Sequence, residues 1–248
     1  MAPAGCSFQE ETLMTAKRDV LDKLASVILI ACGVVISGSV AYRTFASPAE
    51  KGTPVHAAAP RLVQNWNDAY VAGTAVANSR APVTIVEIED LQCPACRRFQ
   101  QTLHELLKEY PDKLGLVVVS YPLDYHTYAM SAARATECAG RFGRTREWMD
   151  AVFAKQDSLG AKSWGSFAVD AGIPDSGLIA RCAVDTANVP HIKAGIAYAD
   201  RVGIEGTPTV LVNGWRLGEV PTKARLKLAI DTFLKGENPF TSGRWATQ

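Results

Sequence analysis

One triplet constrains this chain most: an unbroken β-branched run, VTIVEIE at Val83–Glu89, then a helix-period segment, then a second apolar run, LGLVVVSY at 114–121. Runs this apolar, without polar alternation, belong to strands buried on both faces. Between them Phe99, Leu103, Leu106, Leu107 and Tyr110 recur at i, i+4, i+7, i+8 and i+11 and so share one helix face until Pro111 stops it. Strand, helix, strand at this spacing predicts a βαβ unit with a parallel pair.

Beyond it, from 127 to 203, strand character disappears and five segments read as helices. It returns at 207–212, turns at Asn213-Gly214 and continues through 215–220, a hairpin signalled by the Asn-Gly pair. Leu226, Ala229, Ile230, Phe233 and Leu234 then line a last helix ended by Gly236. The expected domain is an α/β fold at 65–238 with an all-helical insertion at about 124–203, followed by a tail at 239–248. No internal repeat is present. A length of 248 residues, 48% of them hydrophobic, suits one such domain plus an extra segment. With 26 basic against 25 acidic residues there is no electrostatic reason to expect a nucleic-acid partner.

The extra segment is N-terminal. Residues 24–42 contain no charge over nineteen positions, close to the roughly 20 needed to cross a bilayer as a helix. Lys17, Arg18 and Lys23 precede it and Arg43 and Lys51 follow, which favours a cytoplasmic N-terminus. A cleaved signal peptide is the rival, disfavoured by the length of the apolar run. The expectation is a cytoplasmic tail at 1–23, a transmembrane anchor at 24–42 and a linker at 43–64, where Ala, Pro, Ser, Gly and Lys dominate.

Where the first strand meets the helix stands Cys93-Pro94-Ala95-Cys96. A C-x-x-C in this context points to redox chemistry. At a helix N-terminus, unpaired backbone N–H groups and the dipole stabilise a thiolate, so Cys93 is the expected nucleophile and Cys96 the resolving thiol. Pro94 suits the first helical position, where its missing N–H has no partner to lose. Three other readings compete. Zinc wants four ligands, and no second close pair exists among Cys138, Cys182, His56, His104, His126 and His191. Attachment of c-type haem needs His after the second cysteine, where this chain has Arg97. An inert structural disulfide would leave the helix-start placement without a purpose. No metal and no cofactor are expected.

Three segments, 81–99 (APVTIVEIEDLQCPACRRF), the stretch YPLDYHTYAMSAARATECA, and 203–214 (GIEGTPTVLVNG), together resemble the DsbA-like branch of the thioredoxin superfamily, closest to its membrane-anchored or secreted bacterial members. The resemblance spans roughly 81–236 and implies a thioredoxin-like fold. It further implies a cis bond before Pro208, packed beside the cysteines, with the Thr207 backbone pairing to an extended substrate. Glu87, six residues before Cys93, would be the buried carboxylate exchanging protons with Cys96. His126 fits the family pattern at the start of the insertion, but a lone histidine near a helix start is more often a capping or packing residue, and it is not counted as catalytic. Where the family's namesake has Pro-His between the cysteines, this chain has Pro-Ala, which removes one donor to the thiolate.

If the anchor is real, Cys6 is cytoplasmic and Cys32 lies in the bilayer, leaving four cysteines outside. Cys138 and Cys182 are then the candidate second disulfide, the alternative being two buried free thiols. The resemblance implies a protein thiol-disulfide oxidoreductase held as a single-pass protein at the bacterial cytoplasmic membrane, its domain on the periplasmic or cell-wall side. The leading reading is an oxidase of reduced or misoxidised exported proteins, re-oxidised by a membrane redox partner. The alternatives are a disulfide reductase or isomerase, for instance in cytochrome c maturation, and a non-catalytic peptide-binding module.

Overall fold

The computed structural model describes residues 29, 30, 32, 33, 35, 58–187, 190–241 and 245. The tail expected at 1–23, Cys6 and the linker as far as residue 57 lie outside the described residues. So does the anchor expected at 24–42, apart from five helical positions between 29 and 35. Among the described residues no helix is long and apolar enough to cross a membrane.

Residues 57–248 form one compact unit, described here by itself. Its elements in chain order are β1 (Ala58–Leu62), α1 (Ala69–Ala72), β2 (Thr74–Ala75), β3 (Val83–Glu89), α2 (Pro94–Glu109), β4 (Leu114–Ser120), α3 (Ala129–Gly140), α4 (Thr145–Ala154), α5 (Trp164–Asp170), α6 (Ser176–Val184), α7 (Pro190–Arg201), β5 (Thr209–Val212), β6 (Trp215–Gly218) and α8 (Lys223–Leu234). The strands build one sheet in the order β1-β6-β5-β3-β4-β2. β3 is central, parallel to β4 and antiparallel to β5. All seven of its residues are buried, because helices cover both faces of the sheet.

Period-two alternation assigns the faces. Val83 and Ile85 pack with Leu103 and Leu106 of α2, Leu226 and Ile230 of α8 and the core of the helical insertion. Val86 and Ile88 face the opposite way, onto Ala69 and Ala72 of α1 and Tyr198 and Ala199 of α7. The last helix of the expected insertion, α7, thus closes the second face of the sheet instead of standing with α3–α6. In the β5–β6 hairpin Asn213 (φ 45°) and Gly214 (φ 85°) both take positive φ, the reason this pair suits a two-residue turn.

Two expected boundaries are corrected. Residues Ala58–Leu62, assigned to the linker, form β1, an edge strand antiparallel to β6. Two Ala and a Pro with a single Arg and Leu hide it in the sequence, since an edge strand with mostly exposed side chains carries little apolar signal. The tail beginning at 239 is also partly packed: Trp245 is buried, with its ring 4.9 Å from that of Phe240 and 4.2 Å from the Arg225 guanidinium. Isolated aromatics without periodicity give no helix or strand signal, so only tertiary contact reveals them.

Candidate active site

The β3-to-α2 junction places the dithiol. Cys93 is the N-cap of α2 and Pro94 its first residue. The Cys93 N–H donates to the Asp90 carbonyl at 2.9 Å and its carbonyl accepts from the Arg97 N–H at 3.2 Å, which fixes the turn into the helix. Both thiols are free; Cys93 is 6% exposed and Cys96 fully buried. The Thr207–Pro208 peptide, at the entry to β5, is cis, and the Thr207 carbonyl oxygen lies 3.3 Å from the Cys93 sulfur, an acceptor for its hydrogen when Cys93 is a neutral thiol. Residues 114 positions apart are thereby brought together at one site.

The two sulfurs are not equivalent. The Cys93 thiol is drawn down from its ordinary 9.0 to about 5, first because the Cys96 thiol donates to its sulfur, against the burial that opposes ionisation. The Ala95 and Cys96 backbone N–H groups add to that support. Burial, followed by the hydrogen bond it gives Cys93, pushes Cys96 well above the ordinary thiol range. One thiol is thus a thiolate at neutral pH and its neighbour keeps a proton.

Beneath them Glu87 is fully buried, and neither of its oxygens has a hydrogen-bond partner. Burial first, and the negative charge on Cys93 second, raise its carboxyl from 4.5 to about 8. Glu89 is 1% exposed and likewise held well above the carboxylate range, by burial and then by Glu87.

Sequence reasoning missed several parts of this arrangement. Asp90, itself buried, accepts from the Gln92 N–H at 2.7 Å and the Leu123 N–H at 2.9 Å, and pairs with His126 Nδ1 at 2.7 Å. His126 thus pins the entry to the insertion onto the loop preceding Cys93. Gln156, in the turn after α4, donates to the Leu91 carbonyl at 2.8 Å and the Cys93 carbonyl at 3.1 Å. Arg97 pairs with Asp157 of the same turn at 2.8 Å. Nothing in the sequence near Gln156 marks it, whereas Glu89 is legible from alternation two residues after Glu87. Away from the site, Cys138 of α3 and Cys182 of α6 are joined in a disulfide, with Cα atoms 6.4 Å apart. Among the described residues no His, Cys, Asp and Glu side chains cluster in a way that could hold a metal ion.

The thioredoxin family model matches residues 70–232. The oxidised BdbD structure from Bacillus subtilis superposes with a TM-score of 0.60 at 20% identity, over 67% of this chain and 95% of that one. A thioredoxin-like oxidoreductase from Silicibacter pomeroyi gives 0.58 at 23% identity, over 69% and 98%. Wolbachia pipientis alpha-DsbA1 gives 0.56 at 19%, over 66% and 92%. A Na(+)/H(+) antiporter NhaA 1 of Mycolicibacterium gilvum is 34% identical over 138 residues, which are 55% of this chain and 22% of the antiporter. The chain therefore spans about a fifth of the length of that curated relative. The family match covers β2 to β6, the dithiol helix and the insertion alike, and it shows that the chain belongs to the thioredoxin family, with the fold of its DsbA-like thiol-disulfide oxidoreductases.

Proposed function

We propose that this protein is a thiol-disulfide oxidoreductase that forms disulfides in exported proteins, with Cys93 as the attacked and attacking sulfur and Cys96 as its resolving partner. The observation that carries this reading is the inequality of the two thiols: Cys93 drawn down to about 5 beside a protonated, buried Cys96. A stabilised thiolate favours the reduced form, and a dithiol whose reduced form is favoured is an oxidising disulfide. With Glu87 raised to about 8, its carboxyl is mostly neutral at pH 7 and puts little opposing charge near the sulfur.

A reduced substrate thiolate attacks Cys93 of the disulfide and Cys96 leaves. A second substrate thiolate then attacks the mixed disulfide, releasing Cys93 as a thiolate. Extended polypeptide beside Thr207 and Pro208 is the expected substrate form. An anchor at 24–42 would hold the domain outside the cytoplasmic membrane, near a membrane partner that re-oxidises it.

Equilibrating Cys93 and Cys96 against glutathione tests the direction of electron flow. A potential near the roughly −120 mV of a strong oxidant is expected; one near the roughly −270 mV of thioredoxin would make the protein a reductant. Cys93→Ser separates enzyme from binding module: loss of disulfide formation is expected, and full retention of function in cells lacking the native protein would refute an enzymatic role.

A further inference from the structure

Alternation along β3 turns Glu87 and Glu89 to the face shared with Val83, Ile85 and α2, about 7 Å apart along the strand. The groups around them come from each packed element. α2 and its cap supply Cys96 and Cys93, and Ser120 of β4 stands opposite Glu89 and hydrogen-bonds its carboxyl. Val118 of β4 and Val210 of β5 flank Glu87. Asp90, the next residue, is occupied by two backbone N–H groups and His126. Among the described residues no Lys, Arg or His pairs with Glu87 or Glu89, and three of their four oxygens are buried without a hydrogen-bond partner.

Such groups cost several kcal/mol when buried without a task or partner. In a strand that is otherwise apolar at every facing position, a second one is not explained by packing. Two carboxyls this close in a dry site hold their protons jointly, because the second ionisation must be made against the first.

We propose that Glu89 is a positioning residue for proton transfer: with Glu87 it forms a buried carboxyl pair that holds its protons jointly, so that one stays available to Cys96 by way of Glu87 through neutral and mildly alkaline pH. The proposal rests on the oxidoreductase reading above. When a substrate thiolate, its own proton already released to solvent, attacks Cys93, the new S–S bond forms as the Cys93–Cys96 bond breaks. The electron pair leaves on Cys96, Glu87 passes its proton to that sulfur, and the carboxylate recovers a proton from solvent.

Stopped-flow reduction of the oxidised full chain by dithiothreitol from pH 6 to 10 tests it, read as the ratio of variant to wild type at each pH so that ionisation of the probe cancels. For Glu89→Gln the ratio is expected near one at pH 6 and to fall about tenfold by pH 9, the effect of losing a proton roughly one pH unit earlier. In a Glu87→Gln background the same substitution is expected to change nothing further. A flat ratio, or an equal fall in both backgrounds, overturns the proposal. If Glu89→Gln does not fold, carbon-13 NMR of the glutamate carboxyls in the unsubstituted chain decides: Glu89 titrating in the ordinary range near 4.5 overturns it, and coupled titration of both residues well above that range supports it. Failure of the oxidoreductase reading looks different, since the wild-type chain would then show no reducible Cys93–Cys96 bond at all.

Discussion

Cys93 shows how one residue's chemistry is assembled from neighbours that its own identity does not specify. The largest support for its thiolate is the Cys96 thiol. Thiolate absorbance of the reduced protein is expected to titrate with a midpoint near 5; Cys96→Ala is expected to move it upward toward 9.0, while Cys96→Ser, which keeps a donor, moves it less. Because this value is depressed in the fold, the stabilisation is complete above the unfolded thiol's 9.0 and is lost as pH falls through about 5. Glu87 works in the other direction. Its carboxyl is raised from 4.5 to about 8, so the fold binds its proton more tightly, and stability is lost as pH rises through that window. Glu87→Gln is therefore expected to match wild type in urea denaturation near pH 4 and exceed it by roughly 3 to 5 kcal/mol above pH 8. Equal stability at both pH values would show that Glu87 is already ionised, and at no cost, in the fold.

At the scale of elements, the site is held by a loop clamped from outside its own βαβ unit. Gln156 makes both of its donations to carbonyls of the loop that carries Cys93, from a turn more than sixty residues away in sequence. Gln156→Ala takes the donor from the buried Leu91 carbonyl and leaves the Cys93 carbonyl with the Arg97 N–H alone, and is expected to cost about 1 to 3 kcal/mol in denaturant unfolding. A loosened loop would also slow reaction of Cys93 with a disulfide probe, and an unchanged rate would mean the loop is set by Asp90 and His126 alone. The helix caps behave more locally. Ser163, Asp175 and Thr222 each accept a backbone N–H two or three residues inside their helices. Replacing Thr222 by Ala is expected to cost about 1 kcal/mol by the same assay, without touching the thiols.

Across the whole molecule, the Cys138–Cys182 disulfide ties α3 to α6 over a separation of 44 residues. In the loop-entropy account, closing that loop is worth about 4 kcal/mol. Replacing both cysteines by Ala is expected to lower the melting temperature by on the order of 10 °C, with the Cys93 titration unchanged. A shift in that titration would mean the insertion transmits strain to the dithiol.

Much of this architecture was legible in the chain itself. Buried strands advertise themselves by unbroken β-branched residues, amphipathic helices by their period, and the hairpin by Asn213-Gly214, because these signals are local consequences of burial and backbone geometry. The C-x-x-C at a strand-to-helix junction and Glu87 two positions inside a strand end are local in the same sense. The tertiary structure decided what depends on distant partners: β1 as a sheet edge, α7 as cover for the second face, Gln156 on the Cys93 carbonyl, Thr207 against the thiol, and Trp245 on Arg225. None of these pairings carries a periodic or compositional mark. Each rests on contacts between residues distant in sequence, and its energy exists only once the chain has already folded.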